Sequence, residues 1–278
     1  MKKVFFLALA AVSQVALAEP AAHSEAPQHI DVSQLPAQSK MIDDVVVPVP
    51  SEIFGVLDKL TKPSWVAVQH PLNGVAQPLG EQPQIAMQLG SVIAEGFIAV
   101  EAEDANEVKQ IGKSVLNLAK ALGVEREIQS RARAISDAAD KKNWNGEKGV
   151  RSELDGALGD VKRAMTKLNS DALSQLVSLG GWLRGTEALT AVLIDKNFPK
   201  DGADLLHQPV LLDYFEKKLA GLKPKYKANP VIIKVNKGVL DIRPLVGLGT
   251  DTDVSEKSIK EINAITADLL KAINSKAQ

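Results

Sequence analysis

The chain has no cysteine in its 278 residues. That absence excludes a disulfide frame, a thiol nucleophile, an Fe–S cluster, covalent haem attachment and a lipoprotein anchor. Histidine is nearly as scarce, with His23, His29, His70 and His207 only, and no two of them stand four apart on a helix as a zincin-type site requires. Neither Gly-x-Ser-x-Gly nor Gly-x-x-x-x-Gly-Lys-Ser/Thr occurs, which removes a nucleophile elbow and a phosphate-cradling loop of that kind. Asp251-Thr252-Asp253 lacks the rest of a calcium loop and reads as a capping turn. Charge of one sign is also missing: 33 Lys+Arg against 34 Asp+Glu give −1. A nucleic-acid partner calls for a strongly basic surface, and the chain has no such excess. No catalytic residue, metal or cofactor is assigned on these grounds.

What remains is an ordinary globular composition, 45% apolar and 24% charged, with aromatics at 4%. The first 18 residues read as an export signal. Met1-Lys2-Lys3 is a short positive segment, an apolar run extends from Val4 to Leu17, and Ala16-Leu17-Ala18 is the small-x-small pattern read by signal peptidase. Cleavage is expected after Ala18, with a periplasmic or secreted destination. No later window holds 18 consecutive apolar residues, so no membrane span is expected after cleavage. Residues 19–50 carry Pro20, Pro27, Pro36, Pro48 and Pro50 and no helical period, which predicts a disordered or extended leader.

From residue 51 to residue 278 the sequence predicts one all-α domain, a multi-helix bundle of six to nine helices. Ser51 is the expected cap of the first. A proline-rich loop over 61–83 follows, with Trp65 as an anchor and His70 within it. Beyond it the apolar residues step by three and four: Ile111, Val115, Leu118, Leu122, with Gly123 as the stop; Leu154, Leu158, Val161, Met165, Leu168; and Ile262, Ile265, Leu269, Ile273. Residues 229–242 read as helix from the Asn229-Pro230 start and the spacing of Ile232, Val235, Val239 and Ile242, with a β-hairpin as the alternative because so many of these residues are β-branched.

Two predicted helices, 84–103 and 171–195, carry small residues at four-residue steps: Ala86, Gly90 and Ala94 on one, Gly181 and Gly185 on the other. A glycine inside a helix costs about 1 kcal/mol relative to alanine, so the pattern predicts a close crossing. On these same apolar helices sit Glu95, Arg184 and Glu187. A charge buried alone is costly, so Glu95 and Arg184 are expected to pair across the crossing, while Arg184 and Glu187 meet at i,i+3. The bland reading is an ion pair that sets helix register. The functional reading is a polar core site with Glu95, Trp182, Arg184 and Glu187 as ligand-binding residues. Lys217, Lys218, Lys223, Lys225 and Lys227 with Tyr214 and Tyr226 form a basic stretch, either a solvated face or a surface for an anionic partner.

Gly181 to Glu187 is faintly similar to the Gly-x-His-x-x-Glu motif of exported, iron-associated imelysin-type helical bundles. Leu183 stands where that histidine belongs and Glu187 falls one residue late, so no site is carried over. The sequence therefore predicts an exported, non-enzymatic binding or envelope-support protein with a protein or small-molecule partner. Its apolar helix faces also suit a homodimer. The alternative is a small-ligand carrier or cofactor-free enzyme built on Arg184, Glu187 and Glu95.

Overall fold

A computed structural model describes residues 41–42, 45–46, 50–247 and 254–276. The expected signal segment, most of the leader and the Asp251–Asp253 turn lie outside the described residues. A two-residue antiparallel ladder pairs Met41 with Val46 and Ile42 with Val45. Every regular element described after it is a helix.

The order is α1 (Pro50–Thr61), α2 (Trp65–Val68), α3 (Gln82–Glu101), α4 (Ala105–Ala121), α5 (Glu125–Asp140), α6 (Val150–Lys167), α7 (Asp171–Asp195), α8 (Lys200–Ala203), α9 (Pro209–Ala220), α10 (Pro224–Lys227), α11 (Pro230–Ile242) and α12 (Glu256–Ile273). Single 3-10 turns follow α8 and α11. Among the described residues nine helices have 12 or more residues and three are four-residue turns; these short turns take the total beyond the expected range. The first helix begins at Pro50, one residue ahead of the anticipated cap. Residues 230–242 are helix, not hairpin. Asn229 caps this helix, its side chain accepting from the amides of Val231 and Ile232, and Pro230 supplies a helical φ at the first position. Burial of Ile232, Val235, Val239 and Ile242 outweighs the weak helix preference of β-branched residues.

Short turns make the bundle. Three residues separate α3 from α4, α4 from α5, and α6 from α7. Each of these turns closes by a bond from an amide to the carbonyl five residues earlier: Asp104 to Ala99, Val124 to Ala119 and Ser170 to Met165. Gly123 occupies the left-handed position of the second, but Glu103 and Asn169 hold it in the other two.

Helices α3 and α7 are apolar nearly all round and form the centre, while amphipathic α4, α5, α11 and α12 pack with their apolar faces inward. Every residue from Pro83 to Val100 is buried. By length and composition α3 could cross a membrane, yet its whole apolar window is covered by the other helices. α3 and α7 run parallel, because Met87 lies against Gly180 and Glu95 against Arg184 farther along both.

Glycines permit this contact. A β-carbon on Gly90 would stand 1.9 Å from the Val177 carbonyl oxygen, and one on Gly180 would stand 2.0 Å from that of Met87. Gly181 sits beside the Gly90 carbonyl, whereas a β-carbon on Gly185 would meet nothing within 4 Å. The expected crossing exists, but Gly180 rather than Gly185 makes it. The glycine pair therefore falls one turn earlier on α7 and leaves Gly185 outside the contact.

Candidate functional site

The close crossing sets the register that brings Glu95 on α3 to Arg184 on α7. The Arg184 Nε donates to Glu95 Oε2 at 2.7 Å, and Nη1 donates to Glu187 Oε2 at 2.5 Å. Its Nη2 donates to the carbonyl of Val68, the last residue of α2, at 2.6 Å. All three charged side chains are buried: Arg184 and Glu95 are 3% exposed and Glu187 6%. Such burial is tolerable only where the charges pair and their remaining hydrogen-bonding capacity is filled.

For Glu95 that capacity is filled by the loop between α2 and α3, which other side chains also hold. Glu95 Oε1 accepts from the His70 amide at 2.8 Å, and Glu107 Oε1 on α4 accepts from the Leu72 amide at the same distance. Farther along, Ser114 Oγ accepts from the Ala76 amide and Asn117 Nδ2 donates to the Ala76 carbonyl. Gln88 on α3 completes the series, accepting from the Leu79 amide and donating to the Gln77 carbonyl. Prolines at 71 and 78 keep this strap from forming a helix, so most of its backbone groups, apart from local bonds such as that from the Gly74 amide to the Leu72 carbonyl, need partners elsewhere. The side chains of α3 and α4 supply them.

The Glu107 carboxyl that holds the Leu72 amide has a displaced affinity for protons. Burial raises its pKa above the usual carboxyl value; the bond from Leu72 opposes this, and the negative charges of Glu95 and Asp104 add to it.

The predicted site residues divide. Glu95, Arg184 and Glu187 are brought together. Trp182 is not with them: its indole donates to Gln208 Oε1 at 3.1 Å and its ring packs against Phe215. The cavity beside Trp182, bordered also by Gly185, Leu189 and Leu206, has a volume of about 10 Å³, no more than a water molecule needs. Trp65, expected as an anchor, is buried against Phe54 and donates to Asp58 Oδ1. His207 is held by the Val246 carbonyl at 2.8 Å. The basic stretch contributes Lys217 and Lys218 to an open groove of about 550 Å³ between the start of α7 and α9, with Asp171, Gln175, Asp213 and Tyr214 also along it.

Sequence reasoning missed Gln84, Gln88, Glu107, Ser114 and Asn117. A signal existed: Gln84, Gln88, Ser91 and Glu95 step by four, three and four along an otherwise apolar helix, marking a polar line that had to face something polar. Gln84 has its own task. Its amide donates to the carbonyls of Ile273 and Ser275 at 3.0 and 2.8 Å, capping the end of α12 from another helix.

The class defined by this fold and site is an all-α bundle with a buried Arg–Glu–Glu clasp that holds a strap. Comparison with protein-family models, with curated proteins and with solved structures finds no match for the chain.

Proposed function

We propose that the chain is exported and acts without catalysis, as a periplasmic or secreted helical-bundle protein that binds a partner or supports the envelope. The export half rests on the Lys2-Lys3, apolar and Ala16-Leu17-Ala18 sequence. The non-catalytic half rests on one observation above all. Arg184 has Nε, Nη1 and Nη2 each engaged, by Glu95, Glu187 and Val68. A guanidinium that held a substrate anion would need a free edge facing a cavity. Here that edge faces the strap, and the charged groups serve the protein's own backbone.

A small-ligand carrier is the second reading, favoured by the 550 Å³ groove beside Lys217, Lys218 and Tyr214. Its ligand would sit at the start of α7, away from Arg184.

Native mass spectrometry of the protein released from its host's envelope, without refolding, tests both. The expected result is the bare mass of residues 19–278, as monomer, homodimer or protein complex. A small molecule held natively and lost on denaturation would overturn this reading in favour of the carrier. A chain still beginning at Met1 would overturn export.

A further inference from the structure

The groove between the start of α7 and α9 takes no part in the Arg184 clasp. Its volume of about 550 Å³ opens beside Ala172, Val210, Tyr214, Lys217 and Lys218, and Val210 is 63% exposed along it. Of the two acids there, Asp213 is bound by Arg243 Nη2 at 2.5 Å. Lys217 has no ion-pair partner among the described residues, and the stretch from Lys217 to Asn229 holds five lysines and no acid. This edge of the bundle is basic in a chain with no overall excess of positive charge.

We infer that this groove is the seat of the chain's own leader: residues 19–40 run onto it from the short ladder and cover it. Position supports this first. The Val45–Val46 strand of the ladder lies against α9, one wall of the groove, so the chain preceding Met41 starts beside it. Length is sufficient. The 12 residues of α9 measure about 18 Å, which about six extended residues span, and residues 19–40 are several times that many. Charge is complementary. Glu19, Glu25 and Asp31, with Asp43-Asp44 between the two paired strands, set five carboxylates against the single Lys40. Opposite charges of this kind steer a segment to its surface and fix its register. Ile30, Val32 and Leu35 bring apolar side chains for the exposed Ala172 and Val210 to cover. Pro20, Pro27 and Pro36 disfavour helix and suit an extended segment in a groove. The groove then holds the chain itself in place of a soluble ligand, and the inference does not depend on the Arg184 clasp.

The absence of cysteine makes the test clean. A nitroxide is attached to the full chain, as its host matures it, through Ser33→Cys, and amide signals are read by nuclear magnetic resonance. The amides of Ala172, Lys217 and Gly221 are expected to lose most of their signal and to recover it when the nitroxide is reduced. Those of α5, which packs on α4 and α6, are expected to keep theirs. The loss is expected to shrink at least about twofold when salt rises from about 0.1 to about 1 M and the screening length falls from about 10 to about 3 Å. Lys217→Gln combined with Lys218→Gln is expected to shrink it likewise. Nitroxide-bearing chain without nitrogen-15, mixed with parent chain that carries it, is expected to cause no loss. Full signal at the groove, or equal loss on α5 and α9, would overturn the inference. So would a loss indifferent to both salt and the lysine changes. Loss in the mixture would overturn it in favour of a leader exchanged between two copies.

Discussion

Arg184 donates to Glu95 at 2.7 Å although 89 positions separate them in the chain, and both side chains are almost wholly buried. The pair depends on the glycine crossing, which places α3 and α7 in register. It also decides where the strap lies, since Glu95 spends its second oxygen on His70.

Removing the cation should therefore cost far more than a surface mutation. Arg184→Met leaves Glu95 and Glu187 buried without their cation, and a loss of about 3–5 kcal/mol is expected by urea denaturation. A variant as stable as the parent would show that the charges are not a structural clasp.

Glu107 gives a prediction with the opposite sign. Its raised pKa means that the folded state favours the neutral acid, so its stability contribution is full below the unfolded carboxyl value and is lost as pH rises through the folded value. Glu107→Gln keeps an oxygen for the Leu72 amide and removes the charge. The variant is expected to be more stable than the parent at pH 7, with the advantage shrinking as pH falls toward the carboxyl range. Thermal denaturation across pH reads this directly, and a variant less stable at pH 7 would contradict it.

Gly180 and Gly185 on α7 should respond differently to alanine, with Gly90 on α3 as the partner test. Gly180→Ala and Gly90→Ala drive a methyl into a carbonyl oxygen, and overpacking of this kind costs about 1–3 kcal/mol or more. Gly185→Ala meets open space and should gain about 0.5–1 kcal/mol from helix propensity alone. Equal effects at Gly180 and Gly185 would rule out a close crossing at Gly180.

Gln84 offers a cap that can be removed. Gln84→Leu deprives the carbonyls of Ile273, the last residue of α12, and Ser275 just beyond it of their donor, at an expected cost of about 1–3 kcal/mol. Hydrogen exchange should show the last turn of α12 fraying first. Unchanged protection there would mean that α12 does not need the contact.

Much of the fold was legible because helices bury one face at a fixed period. The stretch 171–195 is helix at both predicted ends, and the Asn229-Pro230 start was readable since capping is a local interaction. The turns after α3 and α6 were harder to read, because Glu103 and Asn169 take the left-handed conformation that glycine usually marks. At the site, the i,i+3 spacing of Arg184 and Glu187 was visible, and the Glu95 pairing followed from the cost of burying charge. The strap was not legible: prolines announce irregular backbone but do not say which side chains answer it.

Composition and local pattern by themselves determined that this is an all-α bundle without thiol chemistry, and that two of its helices had to touch closely, because periodicity, capping and the missing cysteine act within a few residues of one another. Only the tertiary structure decided that Gly180 rather than Gly185 makes the crossing, that Glu107, Ser114, Asn117 and Gln88 grip the strap, and that the His70 amide meets Glu95. Those relationships join residues far apart in the chain, and they are set by helix register and by the need to satisfy every buried polar group, neither of which a local stretch of sequence contains.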